Sequence, residues 1–235
     1  MLAIGAAHAA FAGPPFLTDD PVPTDTGHWE IYAPAFEATG TTSDFDGSAG
    51  AEFNYGIAPD VQLTVGAPVG YTHASGGLTA GRDDLEASVK FRFFHDESSA
   101  LQIAVFPGIT VPTATSGFGS RHVTALLPIW FQKDAGAWSW FGGGGYAINP
   151  GDGNRNYWSG GLALSRGLTQ RLLVGVEADR QGAAETTSRA ATSLGIGAIL
   201  RFTSSVRLLA SIGPTFTDGD ARTQFHLFVA LGLDL

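Results

Sequence analysis

Apolar and polar residues alternate along much of the chain, most clearly in its last eleven residues. From Phe225 to Leu235 every odd-numbered position is apolar, whereas His226, Gly232 and Asp234 lie between them. Successive side chains of a β-strand point to opposite faces, so this period of two predicts a strand with one apolar face. An apolar edge strand promotes aggregation of a soluble domain, whereas the last strand of a closed barrel pairs with the first. We therefore predict a closed β-barrel.

The same alternation predicts twelve strands, separated by clusters of Gly, Pro, Asp, Asn and Ser. Most have the length that a tilted strand needs to cross a bilayer. The predicted strands are residues 28–38, 48–57, 61–71, 84–94, 100–112, 122–132, 137–148, 157–166, 172–180, 190–202, 206–216 and 223–235.

The predicted connections alternate between short and long. The short ones are residues 58–60, 95–99, 133–136, 167–171 and 203–205, and the longer ones are residues 39–47, 72–83, 113–121, 149–156, 181–189 and 217–222. Outer-membrane barrels have short periplasmic turns and longer extracellular loops. The predicted fold is an all-β, closed, antiparallel, up-and-down transmembrane barrel of about twelve strands, surrounded by the lipid of a bacterial outer membrane.

Composition agrees with this fold and excludes other classes. Only 15% of the 235 residues are charged, against about 25% in soluble domains. The chain has no Cys, so it can form neither a disulfide framework nor a Cys-based metal site. No apolar run has the ~20 residues of a membrane helix. The net charge of −9 gives no basic patch for nucleic acid, and no motif indicates a cofactor.

Charged residues within the predicted strands are expected to point into the lumen, because a charge facing lipid costs about 2–4 kcal/mol at mid-bilayer. Opposed charges there can orient a permeating solute, or they can pair and fill the lumen. The lumen-lining candidates are Glu52, Glu86, Lys90, Arg92 and Glu177.

The N-terminal part of the chain is predicted to stand apart from the barrel. Residues 10–12 form an A-x-A cleavage pattern, so residues 1–12 are expected to be the remnant of a signal peptide. Residues 13–27 are rich in Pro and contain Asp19, Asp20 and Asp25. This segment is either a plug, with its carboxylates near Lys90 and Arg92, or a periplasmic tail. Residues 28–235 are predicted to form a single barrel.

Several stretches resemble a family of bacterial outer-membrane transporters that is named for a protein of the meta-cleavage pathway of phenol degradation. The matching stretches are residues 13–21 (GPPFLTDDP), 27–30 (GHWE), 127–138 (LPIWFQKDAGAW), 142–151 (GGGGYAINPG) and 154–158 (NRNYW). The resemblance implies an outer-membrane barrel that passes small, often hydrophobic or aromatic, compounds. Such barrels usually end in Phe or Trp, which the barrel-insertion machinery reads in the last strand, whereas this chain ends in Leu235.

Two further groups of residues are candidates for binding or catalysis. A polar loop beside two aromatic residues can form a ligand platform at the mouth, or it can be a plain turn-rich loop; its members are Asn149, Asn154, Arg155, Tyr157 and Trp158. Ser120 and His122 share a strand face, but no adjacent carboxylate or GxSxG motif completes a hydrolase site. The loop carboxylates lack EF-hand spacing and are expected to form a solvated acidic rim; they are Asp44, Asp46, Asp83 and Asp84.

The sequence therefore predicts a non-enzymatic channel for small molecules, as a monomer or a weak oligomer. The alternatives are a closed structural or adhesive barrel without a through-pore, and an outer-membrane lipid hydrolase.

Overall fold

The protein is built from β-strands. The computed structural model describes residues 15–235, so the predicted signal-peptide remnant lies outside the described residues. Within this range, no helix is both long and apolar enough to span a bilayer. The strands are β1 Trp29–Gly40, β2 Phe45–Ala58, β3 Val61–Ala74, β4 Gly77–Arg82, β5 Leu85–Asp96, β6 Leu101–Val105, β7 Gly108–Val111, β8 Thr124–Ala135, β9 Trp138–Ile148, β10 Tyr157–Gly167, β11 Leu172–Gln181, β12 Ala191–Arg201, β13 Val206–Thr217 and β14 Thr223–Asp234.

These strands form one antiparallel sheet that closes on itself. β14 returns to pair with β1, with Asp234 opposite Glu30 and Phe225 opposite Gly40. Two strands of the wall are interrupted, because β4 and β5 both pair with β3, and β6 and β7 both pair with β5 and β8. The fourteen segments therefore make twelve strands of the wall, which confirms the predicted closed barrel.

The two faces of the wall differ in polarity. In β3, Leu63, Val65 and Val69 are exposed, whereas Gln62 and Thr64 are buried. The same alternation recurs in β5, β12 and β14. Because water is a poor solvent for so much apolar surface, the outer face is the lipid face and the polar face lines the lumen.

The two ends of the barrel differ in their connections. The end that carries residues 28 and 235 has connections 59–60, 97–100, 136–137, 168–171 and 202–205; the other end has connections 41–44, 75–76, 112–123, 149–156, 182–190 and 218–222. By the rule for outer-membrane barrels, the first end is periplasmic and the second extracellular. The predicted loops 39–47 and 72–83 were too long, because strand pairing continues to Gly40 opposite Phe45 and to Ala74 opposite Gly77.

Proline residues coincide with interruptions of the wall. Pro34 lies in a bulge of β1, and Pro107 separates β6 from β7. Pro68 faces the break between β4 and β5, and Pro128 faces the break between β6 and β7. Pro214 lies in a gap of the β12–β13 ladder. Proline has no N–H to donate to a ladder, so the wall accommodates each of them where ladder bonds are already missing.

An ion cluster reinforces the seam between the first and last strands. Arg207 of β13 donates to Glu30 of β1, to Asp234 of β14 and to the hydroxyl of Tyr32. Buried apolar side chains fill the lumen beside this cluster; they are Tyr32, Ala35, Ile199, Leu209 and Ala230.

Candidate functional site in the barrel lumen

The N-terminal segment comprises residues 15–28, and its residues 15–21 lie inside the barrel. Pro15, Phe16, Thr18 and Asp19 are buried against the inner wall. The segment leaves the lumen at the periplasmic end, where the N–H of Gly27 donates to the carbonyl of residue 56 at 2.8 Å. The first half of the segment therefore fills part of the lumen in this structure.

Lys90 holds the segment by charge. Its ammonium nitrogen lies 3.1 Å from a carboxylate oxygen of Asp19 and 3.9 Å from one of Asp20. The ring of Phe106 lies beside it, with the centroid 4.7 Å from the nitrogen. Lys90 is only 3% exposed, because the alternation of β5 turns it inward. Removing one partner of such a buried pair is strongly destabilising, so this contact fixes the segment in place.

Glu177 of β11 binds the backbone of the segment. Its two carboxylate oxygens accept hydrogen bonds from the N–H groups of Leu17 and Thr18, each at 3.1 Å. Hydrogen bonds to a charged acceptor contribute more than those between neutral groups. The side chain therefore acts as an anchor for the segment and does not pair with Lys90.

Phe16 occupies a recess in the inner wall. Its ring lies 5.8 Å from that of Phe141, centroid to centroid, and both pack with Ala163. A Cβ atom at Gly175 would lie 2.7 Å from the Phe16 ring, and one at Gly197 would lie 2.8 Å from it. Four neighbouring strands thus supply small or apolar residues that leave room for one aromatic ring. We call this recess the ring slot.

A row of polar side chains on β2 and β3 forms the third anchor. Oε1 of Gln62 accepts a hydrogen bond from the N–H of Thr24 at 2.7 Å. Nε2 of Gln62 donates to Asn54, whose Nδ2 donates to Glu52, both at 2.8 Å. The row thus connects the segment to the buried carboxylate of Glu52.

A cavity of about 40 Å³ separates the segment from β1, β2, β3 and β5. This volume has room for about three water molecules. Its lining includes four carboxylates, Asp19, Asp20, Glu30 and Glu52, together with the single ammonium group of Lys90. Burial raises the pKa of Asp20, which belongs to the segment and not to a membrane-spanning strand, to about 6. The interface is therefore acidic and has room for water.

The other predicted residues of the lumen and the segment are Arg92, Asp25 and Glu86. Arg92 contacts Asp60 and Gln102, each at 2.6 Å, so the expectation that it faces the carboxylates of the segment is wrong. Asp25 is exposed at the periplasmic opening and takes no part in the contact with Lys90. Glu86 lies on the inner face of β5, where its carboxylate approaches Gly66.

The polar loop 149–156 is hydrogen-bonded both within itself and to the neighbouring loop 182–190. Nδ2 of Asn149 donates to the carbonyl of Ala184 at 2.9 Å, and Nδ2 of Asn154 donates to the carbonyl of Pro150 at 2.8 Å. The backbone N–H of Arg155 also donates to Ala184 at 2.8 Å. These bonds use the amide groups to shape the loop, as the turn-rich alternative predicts.

The aromatic residues beside this loop point away from each other. Trp158 is 70% exposed on the lipid face and packs against Tyr146, with 5.1 Å between the ring centroids. Tyr157 precedes it in β10 and lies on the opposite face. The five mouth candidates therefore do not converge, and the expectation of a shared platform is wrong.

Sequence reasoning missed an anchor at the extracellular mouth. The Asp84 carboxylate accepts hydrogen bonds from the N–H groups of Thr113 and Ala114 at 2.9 Å and of Ser120 at 2.7 Å. The ring of Phe118, in the same loop, lies against the inner face at Gly70. The pair Asp83 and Asp84 is buried, so the expected solvated rim is wrong for these two residues.

Ser120 belongs to this anchor. Its hydroxyl lies 2.9 Å from the Asp84 carboxylate and 2.6 Å from the backbone carbonyl of His122. A nucleophilic serine requires a hydrogen bond to a basic side chain, whereas this hydroxyl bonds to a carboxylate and a backbone oxygen. Within residues 15–235, no group of three His, Asp or Glu side chains is arranged to hold a metal ion.

No protein-family model and no curated protein matches the chain. Solved structures of similar shape include an outer-membrane channel from Pseudomonas putida F1, with a TM-score of 0.72 at 12% identity over 90% of this chain and 96% of that one. The NanC porin matches with a TM-score of 0.62 at 7% identity over 88% and 100% of the two chains. The translocator domain of the autotransporter NalP from Neisseria meningitidis matches with a TM-score of 0.57 at 14% identity over 90% of each.

At these identities the comparisons establish the fold. All three proteins have outer-membrane barrels, and the described chain shares their closed architecture and carries an apolar outer face. The predicted location in the bacterial outer membrane is thereby confirmed. The channel from Pseudomonas putida also fits the family resemblance of the sequence.

Proposed function

We propose that the protein is an outer-membrane channel for the passive passage of small molecules, closed in this structure by its own N-terminal segment. The proposal rests on the contacts that hold the segment in the lumen. Side chains of the wall hold residues 15–25, and a single isolated bridge, between Thr26 and Gly56, joins the segment to the sheet. Withdrawal of the segment therefore breaks luminal contacts and leaves the ladders of the wall intact.

The ring slot is evidence that the solutes are hydrophobic or aromatic molecules. When Phe16 leaves, Phe141, Ala163 and the two glycines of the slot line an apolar recess of the size of one ring. Glu177 and Lys90, released from the segment, lie on the same inner wall as polar groups. Apolar walls with a few placed polar groups are the usual form of a small-molecule site. The family resemblance implies the same class of solute.

The filled lumen favours a second candidate, a structural barrel without a through-pore. In that case the segment is a permanent part of the core, as the apolar cluster around Leu209 is. The two functions differ in whether the segment can leave while the wall stays closed.

The absence of Cys allows a direct test. A Cβ atom at Gly161 would lie 2.3 Å from the Thr18 hydroxyl, so Thr18→Cys with Gly161→Cys places two thiols within bonding reach. Conductance in planar bilayers is measured for this variant before and after reduction, and for a variant that lacks residues 15–24. Heat-modifiable gel mobility verifies that each barrel is folded.

A channel is expected to be silent when locked, to recover the parental activity on reduction, and to conduct in steps when residues 15–24 are deleted. A folded deletion variant that neither conducts nor admits small aromatic solutes into vesicles would establish the structural barrel instead.

A further inference from the structure

The periplasmic rim is divided by charge. The half formed by β8 to β12 exposes four cations, Lys133, Arg166, Arg171 and Arg201. Between residues 133 and 205, the only carboxylate at this end is Asp134, which points inward and accepts hydrogen bonds from Gln132 and Ser139. In a chain with a net charge of −9, this concentration of cations is a local reversal of sign. We call it the basic half-rim.

Two of these cations lie on the lipid face, one on each side of the exposed tryptophans of β9. Lys133 is opposite Trp140, and Arg166 is opposite Trp138, in the ladders of β9. The guanidinium carbon of Arg166 lies 5.0 Å from the centroid of the Trp138 ring. Trp138 and Trp140 are 41% and 56% exposed. Exposed tryptophans at strand ends mark the depth of the lipid headgroups.

The basic half-rim keeps its positive charge unpaired. The ion pairs of residues 15–235 are made by Lys90, Arg92, Arg180, Arg207 and Arg222. Nζ of Lys133 donates to the carbonyl of Ser99 at 2.7 Å, which orients the ammonium group and leaves two of its protons available. The four cations of the basic half-rim thus face the membrane surface without a carboxylate neighbour in the described part of the chain.

We propose that the basic half-rim binds the headgroups of anionic phospholipids in the inner leaflet of the outer membrane. Lys133 and Arg166 contact the lipid phosphates, and Trp138 and Trp140 fix the depth of the acyl chains beside them. Arg171 and Arg201 extend the positive surface along the adjacent turns. The opposite half of the rim carries Asp60, Asp96 and Glu97, so anionic lipid is expected on one side of the barrel only.

A lipid fits this surface better than an acidic macromolecule of the periplasm does. Lys133 and Arg166 flank the tryptophans of β9 on the face that contacts acyl chains, and a soluble polyanion cannot reach groups at that depth. Each cation near an anionic membrane surface strengthens binding about fivefold.

The test uses the refolded full chain in vesicles that contain phosphatidylglycerol or phosphatidylcholine with brominated acyl chains. Quenching of tryptophan fluorescence gives the relative affinity of the barrel for the two headgroups. The test variant carries Lys133→Gln and Arg166→Gln. The control variant carries Arg180→Gln and Arg222→Gln, the same change of charge at the extracellular end. Heat-modifiable mobility confirms folding, and Arg166→Lys keeps the charge while removing the guanidinium group.

We expect the parent, the control and Arg166→Lys to prefer phosphatidylglycerol, by at least fivefold at low salt and less at high salt. The test variant is expected to lose most of that preference. The proposal is overturned if the parent shows no preference, if the test variant retains it, or if the control loses it to the same extent.

Discussion

Replacement of Lys90 by Gln should open the channel. Gln is one atom shorter than Lys and adds no bulk, so the inner wall keeps its shape. The buried carboxylates of Asp19 and Asp20, however, lose the only cation in the lining of the cavity. Undocking returns both carboxylates to water. The substitution therefore destabilises the docked segment and leaves the undocked state nearly unchanged.

The magnitude follows from the burial of the pair. Breaking a buried ion pair by removing one partner costs about 3–5 kcal/mol. The lower end of this energy range applies, because Asp20 has a pKa of about 6 and can take up a proton at small cost. About 3 kcal/mol corresponds to a rise of roughly a hundredfold in the ratio of open to closed channels.

The assay is the open probability of single channels in planar bilayers. Arg222→Gln is the matched control, since it also replaces one cation by Gln but at an exposed position in the loop 218–222. Adding Asp19→Asn to Lys90→Gln should restore part of the closure, because it removes one of the two negative charges that Lys90 neutralises in the parent. A folded Lys90→Gln variant with the parental open probability would refute the role assigned to Lys90.

Three further predictions follow from the same contacts. The pKa of Asp20 rises from 3.8 to about 6 on docking, so closure is strongest below pH 3.8 and weakens as the pH rises through 6. The open probability should therefore increase from pH 5 to pH 7, and the Asp20→Asn variant should show a flatter pH profile. Phe16→Ala empties the ring slot and should weaken docking of the segment by about 3–5 kcal/mol, which is measured as a higher opening rate. Equal opening rates in parent and variant would show that Phe16 does not hold the segment. Asp84→Ala removes the acceptor of three backbone N–H groups, so hydrogen exchange in residues 112–123 should accelerate at least tenfold. The control Asp44→Ala, at an exposed site, should leave the exchange rate of that loop unchanged.

The strands of the wall could be predicted because alternation is a local property. It placed Lys90 and Glu177 on the inner face without any knowledge of their partners. It missed β4, because Gly77 to Arg82 is rich in Gly and polar residues and is typical of a loop. That stretch is a strand only because it pairs with the end of β3.

The contacts inside the lumen could not be predicted in the same way. Lys90 and Asp19 are 71 positions apart, and Glu177 and Thr18 are 159 apart. Closure of the barrel brings these distant residues into contact, and no local sequence pattern predicts which of them will meet. Asp84 illustrates the same limit, since a carboxylate that binds the backbone of another loop requires no particular residue type there.

The cluster at Arg207 bears on how the wall is assembled and where it can part. Arg207 and Asp234 belong to one hairpin and can pair as soon as it forms, whereas Glu30 comes from the other end of the chain and joins them only when β1 meets β14. The last step of insertion thus brings the carboxylate of Glu30 to a guanidinium group that the hairpin already holds in place, which favours closure of the barrel. The same contact resists sideways parting of β1 and β14 at the periplasmic end of their ladder.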